Sequence, residues 1–441
     1  MSARGRFLEA AAGLTSRAAR RAPVEAARAG SLFWAWLGRT AARARAVGRE
    51  IATGTTLAPE RWTDYLDYTG TAAAVLLVLQ AATGVLLALH YEPHPSLAFA
   101  SFSAVGTEVP YGLLVSGLHA AGARLLILVG MVHLLRVAWT SSYRGPRAGH
   151  WYTGVALLSV MMLSGFSGYL LPWGQQSFWA CVVGTEAAGA LPVVGKALVH
   201  ALRGGPEVGG PTLTRFYLFH VFLFPLAVAG LLYWHIQRVW RTGVSGPPDA
   251  TARPDPKACR GCGACERTCA FSAVFVKTGQ EGRRAEVDEA ACNACRACVF
   301  ACPAGAVALV RDNAPVPTEP IFPHNVLRRS AAVLAALLVL FAGVYFFRGL
   351  AVGHKVPADP LSTPDRIKPD WYFLAPYQVL KILPSERWGL FALLAAFGLV
   401  AALPALDKKG PRRPEDRPVF IRVFQASVAV FVVLTVWGWL S

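Results

Sequence analysis

The sequence predicts an all-α polytopic membrane protein of seven transmembrane helices, four before and three after a small α+β domain inserted on the cytoplasmic side. Three observations predict it. The 441 residues are 54% hydrophobic with a mean hydropathy of +0.41, too apolar for an ordinary globular chain. Apolar windows close to the roughly 20 residues that span a bilayer recur at 69–89, 112–138, 152–173, 212–236, 330–347, 388–406 and 423–440. Between the fourth and fifth lies a polar stretch, 243–326, that holds eight of the nine cysteines.

Charge sets the orientation. The formal charge of +17 sorts by membrane face, so it reports topology and gives no reason to expect nucleic acid as a partner. Arginines crowd the first fifty residues from Arg4 to Arg49. Basic residues recur at Arg136, Arg144, Arg147, Arg238, Arg241, Arg328 and Arg329, and through DKKGPRRPEDRP at 407–418. Threading seven helices puts all of these on one face, which the positive-inside rule assigns to the cytoplasm. The loop 90–111 opposite has no Lys or Arg; the long loop 348–387 there has six, but long loops obey the rule poorly. Residues 1–60 form a basic N-terminal segment on the cytoplasmic face. In it SLFWAWLGRTAARARAVGRE is expected to lie as an interfacial helix on lipid, with an organelle transit sequence as the alternative. No secretory signal is expected before the first span.

The first four helices, 61–242, are expected to form one domain, and 318–441 a second of three helices. The insert between them, 243–317, has its core at 254–312. There Cys259, Cys262, Cys265 and Cys269 repeat the C-x2-C-x2-C-x3-C spacing of Cys292, Cys295, Cys298 and Cys302. Three cysteines at two-residue gaps wrap three irons of a cubane from one loop, while the fourth reaches the other cluster. This assigns Cys259, Cys262, Cys265 and Cys302 to one [4Fe–4S] centre, and Cys292, Cys295, Cys298 and Cys269 to a second. A zinc site is the nearest alternative, and it does not use this doubled pattern. On the cytoplasmic side the thiols stay reduced. The segment resembles a bacterial two-cluster ferredoxin. It departs at Ala270, where proline usually follows the fourth cysteine as Pro303 does here, so a different local turn is expected with the cluster retained. Cys181 lies outside both runs and reads as a free thiol.

Four of the ten histidines fall inside spans, where ionisable groups are functional candidates. His119 and His133 lie on the second helix, His220 and His235 on the fourth. The others, His90, His94, His150, His200, His324 and His354, fall near helix ends or in loops. At about 100° per residue, a 14-residue step ends some 40° short of four turns and a 15-residue step about 60° past them. Each pair therefore lies on one broad face, about 21–22 Å apart along the axis. The two helices run in the same direction, so His119 is level with His220 near the outer face and His133 with His235 near the cytoplasmic face. Two bis-histidine haems, both haem b, account for this. Gly70 and Gly84 on helix one, and Gly154 and Gly168 on helix three, are also 14 apart. They make room for a porphyrin edge, although small residues also mediate ordinary helix contacts.

HLLRV, TGVALLSVMMLSGFSGYLLPW, ALPVVGKALVHALRGG, TLTRFYLFH and GVSGPP resemble cytochrome b6, and residues 318–440, from EPIFPHN onward, resemble subunit IV of the same complex. The resemblance implies that Arg215 and Arg136 pair with propionates of the outer and inner haems. Tyr68 stands where cytochrome b6 has the cysteine that tethers a third haem. Arg124, about one and a half turns below His119, matches none of these motifs; a charge at that depth is expected to face a cavity, a propionate or a partner chain, or to form a local ion pair. KPDWYF at 368–373 resembles the PEWY signature of the quinol-oxidation site. Pro369, Asp370, Trp371 and Tyr372 would then line that site, with Asp370 and Tyr372 catalytic and Asp370 the proton acceptor. The aspartate form points to menaquinone, and PWGQQSFWACVVG at 172–184 resembles the opposite wall.

The resemblance implies a multi-pass subunit of a quinol-oxidising, proton-translocating bc-type complex in a bacterial inner membrane. It would work with a Rieske protein, a c-type cytochrome and, at the insert, a soluble ferredoxin or similar carrier, as a homodimer. The acceptor would be a cytochrome c or a plastocyanin-type protein. Two other readings stay open: a ferredoxin:quinone reductase without quinol bifurcation, and an iron–sulfur redox sensor or assembly scaffold.

Overall fold

The computed structural model describes residues 54–280, 282–346, 356–408 and 410–441. The segment expected to form an interfacial helix lies outside them. Among the described residues seven helices are long and apolar enough to cross a membrane: Thr63–Ala88, Gly112–Trp139, Gly145–Leu170, Gly210–Thr242, Ile321–Phe346, Glu386–Leu406 and Pro418–Leu440. Helices satisfy their backbone polar groups internally, which a bilayer requires. The third span starts earlier than its hydropathy suggests, because Gly145 and Pro146 open a helical turn, and it stops at Leu170, ahead of Pro172.

The first span packs along the second and the third along the fourth. Leu76, Leu118 and Leu126 form a buried cluster with Leu340 and Val344 of the fifth. The sixth lies on the third, where the Trp151 indole donates to the Val400 carbonyl at 2.8 Å. The seventh packs on a short helix outside the spans, Trp371–Ile382. The loop 90–111 contains a helix of its own, Ala98–Thr107.

The fourth span is interrupted where it matters. Residues Phe219–Leu223 form a π-helical turn carrying His220, just before Pro225. A π turn takes in one extra residue. The 15-residue step from His220 to His235 thus covers the rise of a regular 14-residue step, matching His119 to His133 more closely than uniform helical geometry allows.

The insert is α+β, as expected. Strand Ala250–Pro254 pairs antiparallel with Val307–Arg311, which also pairs with Ala314–Pro315; Val274–Gly279 and Gly282–Val287 form a hairpin. Its sheet therefore extends beyond 254–312 at both ends. Short helices Ala264–Thr268 and Ala297–Ala301 follow the two cysteine loops. Ala252, Ala273, Val274, Ala285 and Val307 make the core together with Cys265, Cys292 and Cys298.

The turn at Ala270 corrects the sequence expectation. Ser272 N–H donates to the Cys269 carbonyl at 3.2 Å, and Gly305 N–H to the Cys302 carbonyl at the same distance. Ser272 and Gly305 both have positive φ, 52° and 61°. Ala273 and Ala306 N–H then donate to the Cys269 and Cys302 sulfurs at 3.3 and 3.2 Å. The two turns are alike because these hydrogen bonds define them; proline only pre-sets one φ.

A separate small unit comprises the antiparallel pair Thr55–Leu57 and Thr318–Pro320, with the turn that follows. Within it the buried Glu319 accepts from Asn325 at 3.3 Å and pairs with Arg328 at 3.4 Å.

Candidate functional site

Each of the four intramembrane histidines is held in the same way. A hydroxyl meets its Nδ1: Thr69 for His133 at 3.1 Å, Thr83 for His119 at 2.9 Å, Thr153 for His235 at 3.0 Å and Ser167 for His220 at 3.2 Å. Each hydroxyl also donates to a backbone carbonyl of its own helix, at 2.6 Å to Leu66, 2.7 Å to Leu79, 2.9 Å to Gly149 and 2.9 Å to Ser164. Its hydrogen is thereby used, so the hydroxyl can only accept from the ring. The Ser164 carbonyl, 2.9 Å from His220 Nδ1, demands the same tautomer. Nδ1 carries the proton in all four, and Nε2 keeps its lone pair for a metal.

The residue after each hydroxyl is one of the four glycines. A Cβ built on Gly168 would lie 2.5 Å from His220 Cε1, on Gly84 3.1 Å from His119 Cε1, on Gly70 3.4 Å from His133 Cε1 and on Gly154 3.5 Å from His235 Cε1. These glycines thus face the imidazoles themselves. The His119 and His220 ring centres are 6.1 Å apart with planes at 83°. Two imidazoles facing one metal across bonds of roughly 2 Å put their ring centres about 6 Å apart, so His119 and His220 would suit a haem iron held between them. His133 and His235 lie within electrostatic reach of each other at the level nearer the insert.

Arg136 forms an ion pair with Asp67 at the start of the first span. Arg215 folds back, its Nη1 donating to the Pro211 carbonyl at 3.1 Å, and lies against Gly204. Tyr68 is buried under the Arg329 guanidinium, 4.7 Å from its ring centre.

In the insert, Cys259, Cys262, Cys265 and Cys302 line one small cavity, and Cys269, Cys292, Cys295 and Cys298 line another. Among the described residues no three His, Cys, Asp or Glu side chains converge as ligands of a single ion do. Thiols spread around a cavity suit a cube of four irons instead. Burial, with the neighbouring Cys292, Cys295 and Cys269, pushes the Cys298 thiol up to about 12; iron binding must therefore displace its proton. Cys181 is fully buried, and burial pushes its thiol up to about 12 as well, which leaves it inert.

Asp370 is held at both carboxylate oxygens. Arg124 Nε donates to Oδ2 at 2.7 Å, and the Trp371 N–H donates to Oδ1 at 2.9 Å, capping the helix Trp371–Ile382. Tyr372 is buried with its hydroxyl against Gly165, and its ring meets Phe373 at 4.7 Å. Burial first, and the Asp370 charge second, push the Tyr372 phenol above its ordinary range. It stays protonated, with its hydrogen available to donate. The 172–184 segment, mostly the helix Gln175–Gly189, is tied to the chain leading to Asp370: Gln175 N–H donates to the Val356 carbonyl at 3.0 Å and its side chain accepts from Asp359 N–H at 2.6 Å.

Sequence reasoning missed several residues that the structure brings here. The four hydroxyls carried a readable signal, a Thr-Gly or Ser-Gly doublet at every haem-level glycine. Tyr169, within electrostatic reach of Asp370 and Arg124, carried none. His150, read as an ordinary helix-end histidine, is buried with its ring 6.0 Å from that of His235.

Three family profiles match the chain: "Cytochrome b/b6/petB" over residues 59–243, "4Fe-4S dicluster domain" over 258–306 and "Cytochrome b(C-terminal)/b6/petD" over 357–441. The cytochrome b of Cereibacter sphaeroides is 33% identical over 387 residues, covering 83% of this chain and 74% of that protein. The "Cytochrome b/c1" of Bradyrhizobium diazoefficiens is 32% identical over 379 residues and 85% of this chain, which spans only 46% of that longer relative. A chain of a "Hyperthermophilic respiratory Complex III" superimposes with a TM-score of 0.69 and 26% identity, covering 91% of this chain and 90% of that one. The chain belongs to the cytochrome b family, with a 4Fe–4S dicluster ferredoxin domain set between the two cytochrome b parts.

Proposed function

We propose that this chain is the quinol-oxidising core of a complex III-like oxidoreductase in a bacterial inner membrane, and that its insert exchanges electrons with a soluble ferredoxin on the cytoplasmic side. His119 and His220, with Arg215, hold the outer haem; His133 and His235, with Arg136, hold the inner one. The eight thiols hold two [4Fe–4S] clusters in the grouping given above. When bound, these groups supply the one-electron path across the membrane and into the insert, while the chain supplies ligands, orientation and field. Asp370, with both oxygens already oriented, takes the proton of a quinol hydroxyl, and Tyr372 donates to the same ligand. Menaquinone is the quinone that the aspartate form favours. A Rieske protein and a c-type cytochrome take the other electron, and the complex is a homodimer; both follow from the resemblance to complex III.

One observation carries the role of the insert: its second cysteine loop sits against the end of the histidine bundle. Gly246 N–H donates to the Asn293 carbonyl at 3.1 Å, and a Cβ on Gly243 would lie 3.6 Å from Cys295 Cβ. Arg147, which opens the third span, lies within electrostatic reach of Cys295, His133 and His235 alike. Deleting residues 254–312 should leave both haems inserted and quinol oxidation intact while abolishing haem reduction by reduced ferredoxin. Unchanged reduction would sink the proposal for the insert.

A further inference from the structure

Four arginines gather where the insert meets the helices, and they differ in one respect. Arg136 is paired with Asp67, and Arg144 with Asp407 at 2.6 Å. Arg147 and Arg412 are equally buried, 8% and 5% exposed, yet they bond only to neutral groups. Arg147 donates to the Ser142 and Gly243 carbonyls. Arg412, from the loop between the sixth and seventh spans, donates Nη1 to the Cys292 carbonyl at 3.2 Å. Its Nη2 reaches Ser245 Oγ at 2.9 Å and the Gly246 carbonyl at 3.2 Å, and its Nε has no partner among the described residues. The guanidinia of Arg136, Arg144 and Arg147 and the Cys292 sulfur lie within electrostatic reach of Arg412.

A buried guanidinium without a carboxylate, and with three other cations nearby, is a strongly unfavourable arrangement. The cysteine group it touches is the one that lines the second cavity, and a cluster ligated by four thiolates is an anion. We infer that Arg412 is the counter-charge of the cluster held by Cys292, Cys295, Cys298 and Cys269, raising that cluster's reduction potential and pinning it to the helix bundle. Arg147 stands on the same side of that cluster and adds to the field. The other cavity has arginines too, Arg260 in its lining and Arg267, whose Nη1 donates to the Cys262 carbonyl at 3.2 Å, but both are exposed, as is Cys262, so water screens their charge. The counter-charge therefore acts on one cluster of the two, at the position nearer the histidines, and favours an electron residing there. This rests on the two-cluster reading of the insert, and it does not depend on which soluble carrier the insert serves.

The test is an EPR-monitored redox titration of the purified, cluster-loaded full chain and of Arg412→Gln, with haem potentials followed optically in the same samples. Arg412→Gln should make one cluster at least tenfold harder to reduce, about 59 mV for a one-electron couple, and leave the other where it was. Arg412→Lys, which keeps the charge but not the fork, should recover most of the shift. If Arg412→Gln prevents cluster assembly while Arg412→Lys retains both clusters at the wild-type potentials, charge is again the operative property. Three outcomes overturn the inference: no cluster shift in Arg412→Gln, a shift of the inner haem in place of a cluster, or loss of clusters in Arg412→Lys as well. A shifted cluster in a protein that ferredoxin cannot reduce would refute the proposed electron exchange and leave the counter-charge standing.

Discussion

The four glycines facing the imidazoles allow a graded test of the haem sites. Adding a methyl group at Gly168 puts a carbon 2.5 Å from His220 Cε1 and 3.0 Å from both ring nitrogens. Carbon contacts are normally about 3.5–4.0 Å, so the ring must retreat about 1 Å. It has little freedom to do so, because Nδ1 is held by the Ser164 carbonyl and Ser167, and metal–ligand distances tolerate only about 0.2 Å. Overpacking of this kind costs about 1–3 kcal/mol, which corresponds to a loss in haem affinity of about 5- to 150-fold at the His119/His220 level. Gly84→Ala, at 3.1 Å, should be milder and act at the same level. Gly70→Ala and Gly154→Ala, at 3.4 and 3.5 Å, fall in ordinary contact and should stay within a few-fold at the His133/His235 level. Haem per chain by pyridine haemochrome, with stepwise reduced difference spectra to separate the two haems, reads the series. Loss of the same haem in Gly154→Ala as in Gly168→Ala, or a Gly154→Ala variant worse than Gly168→Ala, would refute the reasoning.

At the quinol site, Asp370→Asn should lower quinol-dependent haem reduction by about 10²-fold at unchanged haem content, while Arg124→Gln should lower it by a smaller factor, since the Trp371 N–H still orients the carboxylate. Untouched turnover in Asp370→Asn would favour the ferredoxin:quinone reductase reading. On the insert side, Asp407 accepts from Tyr143, Arg144 and Arg417; burial works against its charge, but these partners outweigh it and hold the carboxyl below its ordinary range. A depressed carboxyl contributes stability that is complete above the unfolded value near 4 and is lost as pH falls through the folded one. Asp407→Asn should cost about 3 kcal/mol at pH 7, the low end for a buried pair, and flatten the acid limb of thermal unfolding in detergent; an acid limb identical to that of the wild type would count against it.

Much of this was legible in the sequence because it rests on periodicity. Span number follows from apolar runs, and the level of each histidine from spacing along a helix of known rise. The cysteine grouping follows from gap lengths that only a cubane needs. What remained hidden depends on tertiary partners. Arg124 and Asp370 are 246 positions apart, and nothing local to either points to the other. The π turn at Phe219–Leu223 is a one-residue irregularity, visible in the sequence only as the mismatch between 14 and 15. Ala270 misled because proline was read as the cause of a turn that backbone hydrogen bonds make by themselves. Arg412 sits in a basic run, PRRPEDRP, that reads as a topology signal, and only burial sets it apart from its neighbours.

The insert is seated at both ends, which bears on how it could exchange electrons. Its first strand, Ala250–Pro254, pairs with Val307–Arg311 near its end, so the chain leaves and re-enters the helical part at neighbouring points, the arrangement in which an inserted domain disturbs its host least. At that base the buried Arg311 gathers Glu60 at 2.7 Å, Asp249 at 3.2 Å and Asp64 at 3.6 Å, with Arg61 on Asp249 at 2.6 Å. These residues join the strand ends to the start of the first span. The second seat is the Cys292–Cys298 loop, held through Asn293, Gly246 and Arg412. A domain on a flexible linker would raise the local concentration of a carrier and leave its distance to vary. Two separate seats, one of them a charge network around the buried Arg311, fix the distance as well, and the seat nearer the histidines is formed by the loop whose thiols line the second cavity. The physical consequence of fusion here is therefore geometric: this cavity keeps one position relative to His133 and His235, while Cys262 at the other is exposed.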